Sequence, residues 1–216
     1  GKEKGEKTVL KSEEGEGEKK NKVQMKVLFW NIRGIRAKGR SKQLMDMVAE
    51  QHIDLVCLQE TMKEGFTDKE LIALCENCFT WHYSAARGRS GGMLIGLKED
   101  QLEVLSVEIG EFFMSLVMIQ RKDQFTWEVI NVYGPAKQSK RRIFLEELNQ
   151  KLDKGVLPVL IGGDFNLYRF SNEKSRGKVD IHRMEDFNKF VADHELIELH
   201  RLGQKFTWTN KQICPI

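Results

Sequence analysis

Asp164 and Asn166, in the hexapeptide IGGDFN (Ile161–Asn166), set a carboxylate and a carboxamide two positions apart directly after a glycine pair. In an extended chain, positions i and i+2 point to the same side, so the two groups would face one space. One offers negative oxygens; the other offers a donor and an acceptor. The pair suits a hard cation, or a metal-activated water beside a phosphate. An Asx turn closing a strand accounts for these six residues equally well. Three further strand exits bear on the choice. WNIRG places Asn31 after an apolar run, with Arg33 and Gly34 beyond it; CLQET places Glu60 after DLVCL; NVYGP gives Asn131 and Tyr133 before a Gly-Pro turn. In α/β sheets ligands collect beyond the carboxyl ends of strands, so exits ending in Asn, Glu, Tyr and Asp-x-Asn would line one crevice. Turn chemistry explains Asn31 well but Glu60 and Tyr133 poorly. For Glu60 the alternative is a helix N-terminus or a solvated loop.

The elements that must hold these residues follow from periodicity. MKVLFWN, from Met25, reads as a strand, and GRSKQLMDMVAEQ as a helix with Leu44, Met47 and Val48 on one face and Ser41 as its cap. HIDLVCLQE is a buried strand with His52 at its start, and DKELIALCENC a short helix. Strands are expected around Trp81–Ser84, Gly92–Leu97, Leu102–Ile109, Phe112–Gln120 and Thr126–Tyr133, several joined by hairpin turns. KRRIFLEELNQKL is an amphipathic helix with Ile143, Phe144, Leu148 and Leu152 inward; VLPVLIGG is the next buried strand, and DIHRMEDFNKFVADH the last clear helix. Alternation of βαβ units with antiparallel hairpins predicts an α/β sandwich of two sheets covered by helices. Residues 1–24 carry dense mixed charge and almost nothing apolar, which predicts a disordered tail before a domain spanning 25–216.

A chain of 216 residues, 40% hydrophobic and 31% charged, is an ordinary globular composition with room for one sizeable core. No apolar run reaches the roughly 18 residues of a membrane span, and the first segment is charged rather than an apolar leader, so no membrane partner and an intracellular setting are expected. Of the cysteines Cys57, Cys75, Cys78 and Cys214, the middle two form CENC, but no second pair completes a zinc site; they read as reduced thiols, with Cys57 in a core strand. A net charge of +3 is compatible with a phosphate-rich partner without demanding one. Arg33, Arg36, Lys38, Arg40, Arg87 and Arg89 fall in loops that would flank the crevice, either meeting a nucleic-acid backbone without reading sequence or forming ordinary solvated charge. ARGRSGGM lacks the spacing of a phosphate loop and reads as a hairpin entry.

WNIRG, LQET, NVYGP, GGDFN and FTWTN, in that order across about residues 25 to 212, resemble the endonuclease/exonuclease/phosphatase family. Within it the sequence is most similar to the endonuclease domain of plant LINE-type non-LTR retrotransposons; abasic-site endonucleases share LQET but carry Asp-Gly or Asn-Gly where Arg33 and Gly34 stand here. The resemblance implies a four-layer α/β sandwich, two mixed β-sheets flanked by helices, and a Mg²⁺-dependent hydrolysis of DNA phosphodiesters, with Mn²⁺ as an alternative ion. It implies Glu60, aided by Asn31, as metal ligand, Asp164 as the group that aligns the attacking water, and Asn166 and Tyr133 as holders of a phosphate oxygen. Arg33, Thr207 and Asn210 would contact substrate, and Trp208 is as well read as core packing. DNA, a nuclear setting and a downstream reverse transcriptase in a parent polyprotein follow from the same resemblance.

The family also ends in a Ser-Asp-His segment that pairs an acid with an imidazole, whereas this chain runs to KQICPI and none of His52, His82, His182, His194 and His200 follows Ser-Asp. The expectation is therefore a fold truncated at its C-terminal side, without the catalytic histidine and inactive as given. Two alternatives stay open: a catalytically inactive fragment that binds nucleic acid or a protein, and an abasic-site nuclease or phosphatase of the same fold.

Overall fold

The computed structural model describes residues 25–74, 79–87, 90–173 and 180–199, together with the backbone of 7–10. In chain order these form β1 (Lys7–Leu10), β2 (Val27–Asn31), α1 (Arg40–Gln51), β3 (Leu55–Gln59), α2 (Asp68–Ile72), β4 (Thr80–Arg87), β5 (Ser90–Leu97), β6 (Leu102–Ile109), β7 (Phe113–Gln120), β8 (Phe125–Tyr133), α3 (Arg141–Asp153), β9 (Val159–Asp164) and α4 (Ile181–Asp193). Two mixed sheets result. One has the order β1-β2-β3-β5-β4 and the other β6-β7-β8-β9. β2 and β3 are parallel, with Asn31 level with Gln59; β8 and β9 are parallel, with Tyr133 level with Asp164.

Side-chain alternation sorts these strands into layers. Val27, Phe29, Leu55, Cys57 and Ile95 of the first sheet face Leu116, Met118, Trp127 and Val129 of the second, forming the core between sheets. The opposite parity of the first sheet, Leu28, Trp30, Val56, Leu58 and Leu94, packs on Leu44 and Val48 of α1. Ile130 and Val132 of the second sheet pack on Phe144 and Leu148 of α3 and on Phe187 and Phe190 of α4. Helix, sheet, sheet and helix make the four layers the sequence predicts. Among the described residues no helix is long and apolar enough to cross a membrane.

Several expectations need correction. Lys7–Leu10, placed in a disordered tail, pairs antiparallel with β2, because the open edge of β2 offers unpaired backbone donors and acceptors to any short extended segment. Ser41 does not cap α1: its hydroxyl donates to the Ile35 carbonyl, and the N-cap position is Gly39, whose φ of 81° suits glycine. His52 closes that helix in a left-handed conformation rather than opening β3. Ile143 is 53% exposed, because the buried stripe of α3 runs through Phe144 and Leu148. α2 is held by a Thr67–Glu70 capping box and ends at Ile72; Cys75 and Cys78 lie outside the described residues, as do Cys214 and residues 205–210.

Candidate active site

β2, β3, β8 and β9 all run toward the same end of the sandwich, and there the inward row of each strand changes from apolar to polar. Val27 and Phe29 lead to Asn31, Leu55 and Cys57 to Gln59, Trp127 and Val129 to Asn131 and Tyr133, and Leu160 to Asp164. Side chains then meet across the two sheets. The Asn31 amide Nδ2 donates to Asp164 Oδ2 at 2.7 Å, and the Tyr133 hydroxyl donates to Glu60 Oε1 at 3.0 Å.

Glu60 reaches this space by a backbone device. Strict alternation would send it to the outer face, since the preceding Gln59 faces inward. Glu60 instead adopts a φ of 58°, one of four non-glycine residues near these exits with positive φ, the others being Arg33, Met62 and Asn166. Such conformations are costly for side-chain-bearing residues and persist where surrounding bonds over-determine them. Those bonds are present. Gly34 N–H donates to the Glu60 carbonyl at 2.7 Å and Ile35 N–H to that of Thr61 at 3.1 Å, stapling the exits of β2 and β3 together. Thr61 and Met62 N–H donate to the carbonyls of Gly92 and Gly91, tying the same turn to β5.

The glycine pair of IGGDFN has its reason here. A Cβ on Gly162 would lie 2.7 Å from the Phe29 ring, which fills the core beneath the crevice. Gly163, with φ 130°, would place a Cβ 2.1 Å from the Val132 carbonyl oxygen. Asp164 follows with both carboxylate oxygens engaged, Oδ2 by Asn31 and Oδ1 by Asn166 N–H at 3.0 Å. The Asx turn and the polar site are thus the same structure. Asn166 is exposed, and its Nδ2 donates to the Gly134 carbonyl at 2.8 Å, joining the exits of β9 and β8; Gly134 N–H returns a bond to the Asp164 carbonyl at 2.7 Å.

Burial, helped by the negative charge of Glu60 and its hydrogen bond, pushes the Tyr133 phenol well above its ordinary range, with Asp164 adding and Arg33 opposing. Tyr133 is therefore a fixed hydrogen-bond donor and not a base at neutral pH. Arg33 is half-buried, and its N–H donates to Asn31 Oδ1 at 3.2 Å.

Among the loop cations, Arg36 pairs with Glu70 at 3.3 Å and Lys38 is exposed; the buried Lys63 also pairs with Glu70. Arg40 departs from the expectation of a loop cation: it opens α1, is 7% exposed, and stacks its guanidinium 5.8 Å from the Trp30 ring centroid. Arg89, Thr207, Trp208 and Asn210 lie outside the described residues, as does His200. None of the other histidines joins the crevice: His52 caps α1, His82 lies in β4 level with Ile95, His182 sits on α4, and His194 bonds Asn149 at 2.7 Å.

Gln59 and Asn131, to which the sequence assigns no role, are both buried beneath the crevice. The available signal was parity: each is the amide that ends an inward apolar row.

Among the described residues no three Asp, Glu, His or Cys side chains converge as a metal-binding group. The oxygen donors at the mouth, the Glu60 carboxylate and the Asn31 amide oxygen, fit a hard ion that keeps most of its water and takes one or two carboxylates, as Mg²⁺ does. They do not fit a tetrahedral nitrogen-and-sulfur site.

Comparison with known proteins identifies the family to which this architecture belongs. Its profile, described as the Endonuclease/Exonuclease/phosphatase family, matches residues 28–211, and the chain belongs to that family. Nucleases of the family generally use divalent metal ions. The chain is 27% identical over 160 residues to an exodeoxyribonuclease of Bacillus subtilis, covering 66% of this chain and 59% of the relative, so it spans less than two thirds of that protein's length. An AP endonuclease from Leishmania major shares the fold, with a TM-score of 0.60 at 12% identity over 79% of this chain and 66% of that one. So does a D. rerio TDP2 complexed with a single-strand DNA product, with a TM-score of 0.50 at 19% identity over 67% of this chain and 61% of that one.

Proposed function

We propose that this chain forms the metal- and phosphate-binding part of a divalent-metal-dependent phosphodiesterase acting on DNA. The observation that carries the reading is the pair of side-chain bonds across the sheets, Asn31 to Asp164 and Tyr133 to Glu60, at the common exit of four strands. Glu60 and Asn31 would hold the ion, Mg²⁺ or Mn²⁺, which when bound supplies Lewis-acid stabilisation of the leaving oxyanion. The chain's own groups do the rest by positioning. Asp164, with one oxygen fixed by Asn31 and the other by the Asn166 N–H, presents its carboxylate in one orientation for aligning a water. Tyr133 keeps its proton and can turn it from Glu60 to a phosphate oxygen without ionising. A phosphodiester is already anionic, so fixed donors and positive charge are where rate comes from.

DNA as the substrate is supported by the exodeoxyribonuclease relative and by the DNA-bound fold relative. The order of WNIRG, LQET, NVYGP, GGDFN and FTWTN, with Arg33 and Gly34 after Asn31, supports a place among plant LINE-type retrotransposon endonucleases, which would put the protein in the nucleus beside a reverse transcriptase. A second reading, a nucleic-acid binder that does not cleave, is favoured by one observation: no histidine among the described residues joins the crevice.

Nicking of supercoiled plasmid in Mg²⁺ or Mn²⁺ separates the two. Nicking that requires the ion and disappears in Glu60→Gln is the result the hydrolytic reading predicts, against the sequence-based expectation of an inactive chain. Retained DNA binding with no nicking under either ion would overturn the hydrolytic reading in favour of the second.

A further inference from the structure

Gln59 and Asn131 are 1% and 0% exposed, two carboxamides beside an inter-sheet core of Leu, Val, Ile, Met, Phe, Trp and Cys. Gln59 Nε2 donates to Asn131 Oδ1 at 2.5 Å and to the Cys57 carbonyl at 3.0 Å, and Asn131 Nδ2 donates to the Leu58 carbonyl at 2.9 Å. Two of these three bonds cross between the sheets, and both join β3 to β8. Gln59 immediately precedes Glu60, and Asn131 stands two residues before Tyr133, on the same inward row. The buried pair therefore lies one layer below the Glu60–Tyr133 contact.

We propose that Gln59 and Asn131 are positioning residues: their inter-sheet amide lock fixes the spacing and register of β3 against β8, so that Glu60 meets Tyr133 and Asn31 meets Asp164. Apolar contacts in the layers beneath are non-directional and tolerate sliding. The amide bonds do not, because a hydrogen bond weakens steeply beyond a few tenths of an ångström and outside a narrow angle. A shift of the sheets would leave buried carboxamides without partners, which is the costlier state. Buried amides at one layer thus make one register the favoured one, in the layer next to the groups that need it. The catalytic consequence rests on the phosphodiesterase reading; the lock itself does not.

The test is a set of three variants, Gln59→Leu, Asn131→Leu and the double substitution. Each single change orphans a buried partner and should lower thermal stability. The double change removes both polar groups and should recover most of that loss. If the pair positions the mouth, the recovered double variant keeps mid-strand amide protection at Leu116 and Val129. Its Gly34 and Gly134 amides, which bridge the strand exits, should exchange about tenfold faster or more. Cleavage in that variant should fall by about tenfold or more in kcat with KM little changed. Mouth amides as protected in the double variant as in the parent would overturn the proposal, whatever the activity. A parent chain that does not cleave counts against the phosphodiesterase reading alone, because the exchange measurement still decides the lock.

Discussion

Glu60 and Tyr133 show how one side chain's role depends on its neighbour. The phenol is kept protonated by burial and by the adjacent carboxylate, and the carboxylate is drawn into the crevice by a left-handed turn that alternation alone would not produce. Removing only the hydroxyl should separate holding from folding. In Tyr133→Phe the ring still packs, so stability should change by no more than about 1 kcal/mol, while cleavage should drop by about a hundredfold through loss of a donor to the phosphate. Steady-state kinetics beside a thermal melt would read both; a fall in stability with unchanged cleavage would place the hydroxyl outside the chemistry. Asn31, Glu60, Tyr133 and Asp164 were legible in the sequence because each breaks an apolar run at a strand exit. Gln59 was not, and Asn131 was legible only as a strand-exit residue without a role, since an amide inside LQET or NVYGP looks like part of the turn until the facing sheet is known.

At the scale of elements, α2 is the clearest case of a short segment held by charge. Glu70 accepts from Lys63, from the Thr67 N–H and from Arg36, and these bonds, that of Lys63 foremost, hold its carboxyl down at about 2. Lys63 lies three residues beyond Glu60, so the network anchors the turn that presents the carboxylate. The folded value lies below the unfolded one of about 4.3, so the stabilisation is fully present above about pH 4.3 and is lost as pH falls toward 2. Amide exchange at Leu71 and Ala73, whose N–H groups bond to Thr67 and Lys69, should stay protected at pH 5 and open by pH 2.5. Glu70→Gln should show weaker protection at pH 5 and little further change on acidification; an acid response identical to the parent would exclude Glu70 as its source. The strands and helices themselves were legible from periodicity. Lys7–Leu10 was not, because pairing at an open edge depends on backbone groups that composition does not report.

For the whole molecule, the decisive property is that neither sheet holds the whole candidate site. The first sheet and its exits supply Asn31 and Glu60, the second Tyr133, Asp164 and Asn166, and the two meet only when the sandwich is closed. The two-sheet, four-layer order was readable from alternating βαβ units and hairpins, yet which exits face each other was not, because that depends on how β2 and β3 lie against β9 and β8. Division of labour between the sheets gives the sharpest test. Titration of Mn²⁺ into the folded chain, followed by water-proton relaxation, should reveal one site whose affinity falls at least about tenfold in Glu60→Gln, where a charged oxygen ligand is lost. Asn166→Ala, on the opposite sheet, should leave that affinity within about twofold, because its amide holds the Gly134 carbonyl and not the ion. Equal Mn²⁺ affinity in the parent and in Glu60→Gln would contradict the assignment of this crevice as a metal-dependent phosphodiesterase site.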